Sequence, residues 1–146
     1  MKRYFFISIM FSLCGCHASG IHTMFYTPAC IEPYEKYNYQ TCKNIIFSVN
    51  GVRHIIPKGF KTDLASIPRP IWSFMSPAHS ALMAPSIVHD WFYRMTCDYD
   101  RKQIDLIFFH MLIAEGTPKW RAYLMYYAVR RFGAKSYNED YCEKNT

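Results

Sequence analysis

Residues 87–109 read IVHDWFYRMTCDYDRKQIDLIFF, and this stretch sets the fold. Its apolar residues Ile87, Val88, Trp91 and Phe92 continue from Leu82 and Met83 at helical spacing. A polar turn, Thr96 to Asp100, interrupts them. A second stripe of Ile104, Ile107, Phe108, Met111 and Leu112 follows, so two helices stand back to back. Residues i and i+4 share a helix face, which makes His89 and Tyr93 neighbours and turns Asp90 roughly 100° away. Asp105 sits inside the second apolar stripe, where an acid rarely stays without a partner. If the helices pack antiparallel across the turn, Asp105 reaches His89. A carboxylate on one imidazole nitrogen fixes the tautomer and leaves the other nitrogen to take a proton from water.

Working outward, the first helix spans about 80–95. Pro85 is awkward within it and is instead suited to N1, which would leave residues 79–84 in a preceding turn. The second helix, about 101–115, takes its cap from Asp98 or Asp100 and stops at Gly116. Thr117 caps a third, Pro118 to Phe132, with Gly133 as the stop. Upstream, Asn44 to Val49 and Val52 to Ile56 are β-branched runs joined by Asn50-Gly51, a type I′ hairpin signal. Residues 60–78 form a proline-bearing loop, and residues 17–42 show no clear period. The expected fold is α+β: an N-terminal β-hairpin, a motif loop and three helices.

The first residues read as a targeting signal. Lys2 and Arg3 precede the uncharged run Tyr4 to Leu13. Ten helical residues span about 15 Å, half of a hydrocarbon core of roughly 30 Å, so the run is an export h-region and not a spanning helix. Leu13-Cys14-Gly15-Cys16 resembles a bacterial lipobox, with Cys16 the lipidated residue; the alternative is an ordinary secretory signal cleaved near His17 to Ser19. The expected organisation is therefore a lipoprotein signal at 1–15, a tether and irregular wrap at 16–42, and one globular domain at 43–146. With no aspartate after Cys16, the expected location in a Gram-negative host is the periplasmic face of the outer membrane. Cys30, Cys42, Cys97 and Cys142 remain, an even number suited to an oxidising compartment. They allow three pairings, of which Cys30–Cys42 with Cys97–Cys142 is preferred. The formal charge of +6 over 146 residues suits anionic lipid head groups. It forms no stripe for nucleic acid, which is not expected as a partner.

Two resemblances stand on quoted residues. Gly59-Phe60-Lys61-Thr62-Asp63-Leu64-Ala65-Ser66-Ile67-Pro68-Arg69, then His89 to Tyr93, then Arg101 to Phe108 resemble a family of uncharacterised small domains found in phages and prophage regions. The narrower pattern HD-x-x-Y followed by R-x-x-x-D-x-x-F is similar to secreted phospholipase A2. That resemblance implies His89 as general base, Asp105 as the carboxylate orienting it and Tyr93 as support. It also implies a calcium ion held by Asp90 and by Asp63 in the Thr62-Asp63-Leu64 segment, since calcium takes six to eight oxygens. The glycine-rich calcium loop and the cysteines beside the histidine of the animal enzymes are absent.

Structural roles compete with each assignment. Asp63 and Ser66 suit turn capping. Arg69 can pair with Asp90 or Asp105 in a polar lock without turnover. Tyr123, Met125, Tyr126 and Tyr127 suit packing on the third helix, and His54, His79 and His110 show no partners. Two functions follow. One is a membrane-anchored, calcium-assisted hydrolase of phospholipid or another envelope ester. The other is a non-catalytic envelope lipoprotein acting through protein partners in phage exclusion or assembly.

Overall fold

A computed structural model describes residues 20–35, 38–64 and 80–137. The expected hairpin is present as β4 (Ile45–Val49) and β5 (Val52–Ile56), antiparallel with Val49 opposite Val52. Asn50 and Gly51 take φ of 49° and 84°, the left-handed pair that a type I′ turn requires. Alternation along β4 points Ile45, Phe47 and Val49 inward, and His54 and Ile56 of β5 join them.

The stretch expected to be an irregular wrap carries three strands: β1 (Thr23–Phe25), β2 (Ile31–Glu35) and β3 (Asn38–Thr41). They are too short, and too rich in Tyr, Pro and Asn, to show a period of two. Long-range pairing defines them instead. β1 lies antiparallel on β4, completing a sheet of order β1-β4-β5. A second sheet places β3 between β2 and the two-residue β6 (Lys61–Thr62). Thr41 ties the sheets together. Its hydroxyl donates to the Pro57 carbonyl at 2.7 Å and accepts from the Phe60 amide at 3.0 Å. The expected Cys30–Cys42 disulfide closes the same corner. Cys97 is also disulfide-bonded; Cys142, like Cys16 and the leader, lies outside the described residues.

Three helices follow: α1 (Ser80–Met95), α2 (Arg101–Ala114) and α3 (Lys119–Phe132), then a 3₁₀ turn, Gly133–Ser136. Helix α1 continues unbroken through Pro85, correcting the alternative that began it there. One backbone bond is lost, and burial of Leu82, Ala84, Ile87 and Val88 around the proline offsets it. Asp100, not Asp98, caps α2: its carboxylate accepts from the Gln103 amide at 2.8 Å while the Gln103 side chain accepts from the Asp100 amide, also at 2.8 Å. Gly116, with φ of 88°, ends that helix as expected. Thr117 does not cap α3. Pro118 takes the cap position without a side-chain bond, and the Thr117 hydroxyl is buried with no partner among the described residues.

Gly133 is not a left-handed stop either; its φ is −75°. Its smallness serves a close approach, because a Cβ there would lie 3.2 Å from Tyr93 Oη. The core forms where the β1-β4-β5 sheet meets α1 and α2: Ile45, Phe47, Val49 and Ile56 against Ile87, Val88, Phe92, Ile104, Ile107 and Met111. A satellite cluster of Leu82, Phe108 and Leu112 receives Ala122, Met125 and Val129 of α3. Each large side chain among these contributes about 1.5–3 kcal/mol on burial. Among the described residues, no helix is long and apolar enough to cross a membrane.

Candidate functional site: two buried carboxylates on adjacent helices

Helix α1 carries His89, Asp90 and Tyr93, all 3% exposed or less. The 100° step between His89 and Asp90 sends them to different neighbours, as the sequence implies. His89 and Tyr93 face α2, while Asp90 faces the β2-β3-β6 sheet.

On the α2 side, Asp105 is fully buried and gathers three donors. His89 Nε2 lies 2.8 Å from its Oδ1, and the Tyr93 hydroxyl donates to the same oxygen at 2.5 Å. Arg130 of α3 donates through Nη1 to the other oxygen, Oδ2, at 2.7 Å. Burial pushes the Asp105 carboxyl up, but the bonds from His89, Tyr93 and Arg130 outweigh it and hold the group below the usual carboxylate range. An ionised carboxylate only accepts, so His89 Nε2 is the donor in this bond, and the neutral tautomer that fits it has its lone pair on Nδ1. The imidazole lies between the rings of Tyr93, 4.0 Å away, and Phe108, 4.9 Å away. Tyr93 holds its own proton firmly, raised by burial and then by its bond to Asp105.

A second guanidinium supports the first. Arg101, at the start of α2, bonds the Tyr93 oxygen through Nε at 3.3 Å. Its Nη2 donates to the carbonyls of Val129 and Arg130 at 3.1 and 2.6 Å, satisfying the end of α3. Helix α2 thus caps α3 with Arg101, and α3 returns Arg130 to Asp105. The side chains and both helix ends form one network.

On the sheet side, Asp90 Oδ2 accepts from the Thr62 hydroxyl at 2.5 Å and from Arg94 Nη2 at 3.4 Å. The Thr62 oxygen also accepts from the Leu64 amide at 3.1 Å. Leu64 adopts a φ of 53°, unusual for a branched residue and tolerated where the surroundings over-determine it. Asp63 between them is exposed. Burial first, and the charge of Asp63 second, push the Asp90 carboxyl up to about 6. The Arg94 pair is long and partly exposed, so it compensates little.

The structure therefore brings His89, Tyr93 and Asp105 into direct contact and sets Asp90 within electrostatic reach of Asp63. Ser66 and Arg69 lie outside the described residues, and the cations found on the two carboxylates are Arg94 and Arg130. Sequence reading missed Arg130, because 25 residues separate it from Asp105 and no spacing rule spans that distance. Arg101, four residues before Asp105, did carry a signal, since that spacing places both on one helix face. His54, expected to lack partners, is buried against the rings of Phe47 and Phe92, each 5.2 Å away. Its Nε2 has no hydrogen-bond partner among the described residues.

As a test for a cation, the donor set is two carboxylates of like charge, one of them destabilised by the other. Among the described residues, no group of three or more His, Cys, Asp or Glu converges on a metal position. A hard cation there would complete its shell with backbone carbonyls and water.

The raised Asp90 pKa has a signed consequence for stability. A carboxyl at about 6 in the fold against 3.8 ordinarily favours the protonated native state. Its contribution is full below 3.8 and is lost as pH rises through about 6. A displacement of that size is worth about 3 kcal/mol. Asp90→Asn is therefore expected to stabilise the chain by about 1–3 kcal/mol near pH 8 and by almost nothing near pH 4. Urea unfolding across that pH series measures the difference, and a gain independent of pH contradicts this assignment.

An α+β domain with a buried His–Asp–Tyr network bonded to a third helix is the class that fold and site define. The chain belongs to the family described as "Protein of unknown function (DUF1353)", which matches residues 35–129. That span holds Asp63, His89, Asp90, Tyr93 and Asp105 and ends one residue before Arg130. The chain is similar to the uncharacterized protein y4jT of Sinorhizobium fredii, 35% identical over 89 residues, which cover 58% of this chain and 25% of that protein. It is also similar to the uncharacterized protein y4iH of the same organism, 34% identical over 91 residues, covering 60% of this chain and 36% of the relative. The match thus spans only about a quarter to a third of those relatives' own lengths. No solved structure matches the chain.

Proposed function

We propose that this domain is a phospholipase A2-like hydrolase, anchored to a bacterial cell envelope through Cys16 and acting on phospholipid or another envelope ester. The observation that carries this reading is the Asp105 carboxylate on His89 Nε2 at 2.8 Å. It orients the imidazole so that Nδ1 is the basic nitrogen. A water at Nδ1 loses its proton to the ring and attacks the ester carbonyl; the imidazolium, steadied by Asp105, returns the proton to the leaving alcohol. Asp90 and Asp63 are the residues that would hold calcium, which would supply Lewis-acid polarisation of the ester carbonyl. Tyr93 and Arg130 hold Asp105 ionised and in place.

A second reading draws support from the burial of His89 and from Arg130 on Asp105. In it the same residues are an interhelical lock in a non-catalytic envelope lipoprotein, phage-derived, that works through a protein partner.

The test is fatty-acid release from phospholipid vesicles by the Cys16→Ser chain, with calcium, with chelator, and in the His89→Ala variant. Calcium-dependent release that His89→Ala abolishes is the expected result. No release from a folded, disulfide-bonded chain assigns the cluster to structure and turns attention to envelope proteins.

A further inference from the structure

The outward face of α3 is apolar and carries no acid. Trp120, Tyr123, Leu124 and Tyr127 are each half or more exposed. Their three- and four-residue spacing puts them on one stripe, opposite Ala122, Met125 and Val129, which are buried against α2. Phe109 of α2 extends the stripe, its ring 4.7 Å from that of Tyr123. A continuous patch of this kind is unusual on a monomeric surface and marks a contact.

Charge says what kind of contact. The helix, KWRAYLMYYAVRRF, contains Lys119, Arg121, Arg130 and Arg131 and no aspartate or glutamate, and Lys135 follows in the next turn. Arg130 is engaged by Asp105, while Lys119, Arg121, Arg131 and Lys135 are exposed at both ends of the stripe. The Arg121 guanidinium lies 5.0 Å over the Trp120 ring, and that of Arg131 lies 5.7 Å over the Phe132 ring. Two copies of this helix would meet cation against cation with no acid on the helix itself to neutralise them, which disfavours a homodimer here. Tryptophan and tyrosine rings flanked by cations suit a surface that is apolar below and anionic above.

We propose that α3 lies in the plane of an anionic phospholipid surface, with Trp120, Leu124 and Tyr127 in the acyl boundary and Arg121 and Arg131 on the head groups. This surface is independent of whether His89 catalyses hydrolysis, because it rests on other residues and is read out by binding alone.

The experiment uses the full chain carrying Cys16→Ser and vesicles of phosphatidylcholine, with or without phosphatidylglycerol. Brominated lipids quench tryptophan that enters the bilayer. The Trp120→Phe chain supplies the background from Trp72 and Trp91, and any contribution of the apolar leader is common to both. Expected are quenching assigned to Trp120 on the anionic vesicles and affinity weaker by about thirtyfold or more for Arg121→Glu/Arg131→Glu. Affinity also falls for Trp120→Ser/Tyr127→Ser, with unchanged circular dichroism. Absence of Trp120 quenching, or equal binding by all variants, overturns the proposal. So does concentration-dependent self-association that hides Trp120, or exclusive capture of Trp120 by an acidic protein.

Discussion

Asp105→Ala is expected to lower the unfolding free energy by about 3–5 kcal/mol, the cost of removing one partner from a buried charged network. The carboxylate is completely enclosed and is the acceptor shared by His89, Tyr93 and Arg130. Without it two buried donors lose their acceptor, and only Arg130, whose side chain is 32% exposed, can swing to water. The loss appears as a lower urea midpoint with little change in slope. Asp105→Asn costs less than alanine, because an amide oxygen still accepts from His89 and Tyr93, but it keeps part of the loss because its NH₂ meets the Arg130 donor without an acceptor. The same network fixes an acid dependence. With its carboxyl held below the usual range, Asp105 contributes stability that is present above the unfolded pKa and lost as pH falls through the folded one. A cost under about 1 kcal/mol for Asp105→Ala would mean that water replaces the carboxylate and that the three donors are not held by it.

Phe47→Ala is expected to cost a similar 3–5 kcal/mol, through lost burial and the cavity left behind. Phe47 is wholly inaccessible to solvent. Its ring centroid lies within 6.0 Å of Phe25, His54, Trp91 and Phe92. No single helix shift fills a space bounded by two strands and α1. The effect reaches the site, because Trp91 and Phe92 follow Asp90 directly along α1. Thermal unfolding of the variant measures the loss, and a drop below about 1.5 kcal/mol would show that α1 collapses onto the sheet.

Local pattern made part of this molecule legible. The Asn50-Gly51 turn, the helix over 80–95 and the Asp105–His89 contact each follow from spacings of two to four residues and one packing step. The α+β class follows from the same signals. Strands β1 to β3 were not legible, because three to five residues held by partners elsewhere in the chain leave no period of their own. Thr117 and Gly133 misled for a related reason. A threonine before proline and a glycine after a helix look like cap and stop, yet one hydroxyl is buried with no partner among the described residues and the other position is small to admit Tyr93. Arg130 shows the limit most clearly: charge and helical position are visible in the sequence, but its partner is set by how α3 lies on α2.

The exchange of arginines between α2 and α3 carries a further consequence. Arg101 holds the last carbonyls of α3, and the residue owning one of them, Arg130, reaches back to Asp105. The final turn of α3 therefore cannot fray alone, since opening it strands the acid beneath. Amide protons of Val129 and Arg130 should exchange with deuterium in step with those around Asp105, at the rate of a shared subglobal opening and not of a loose helix end.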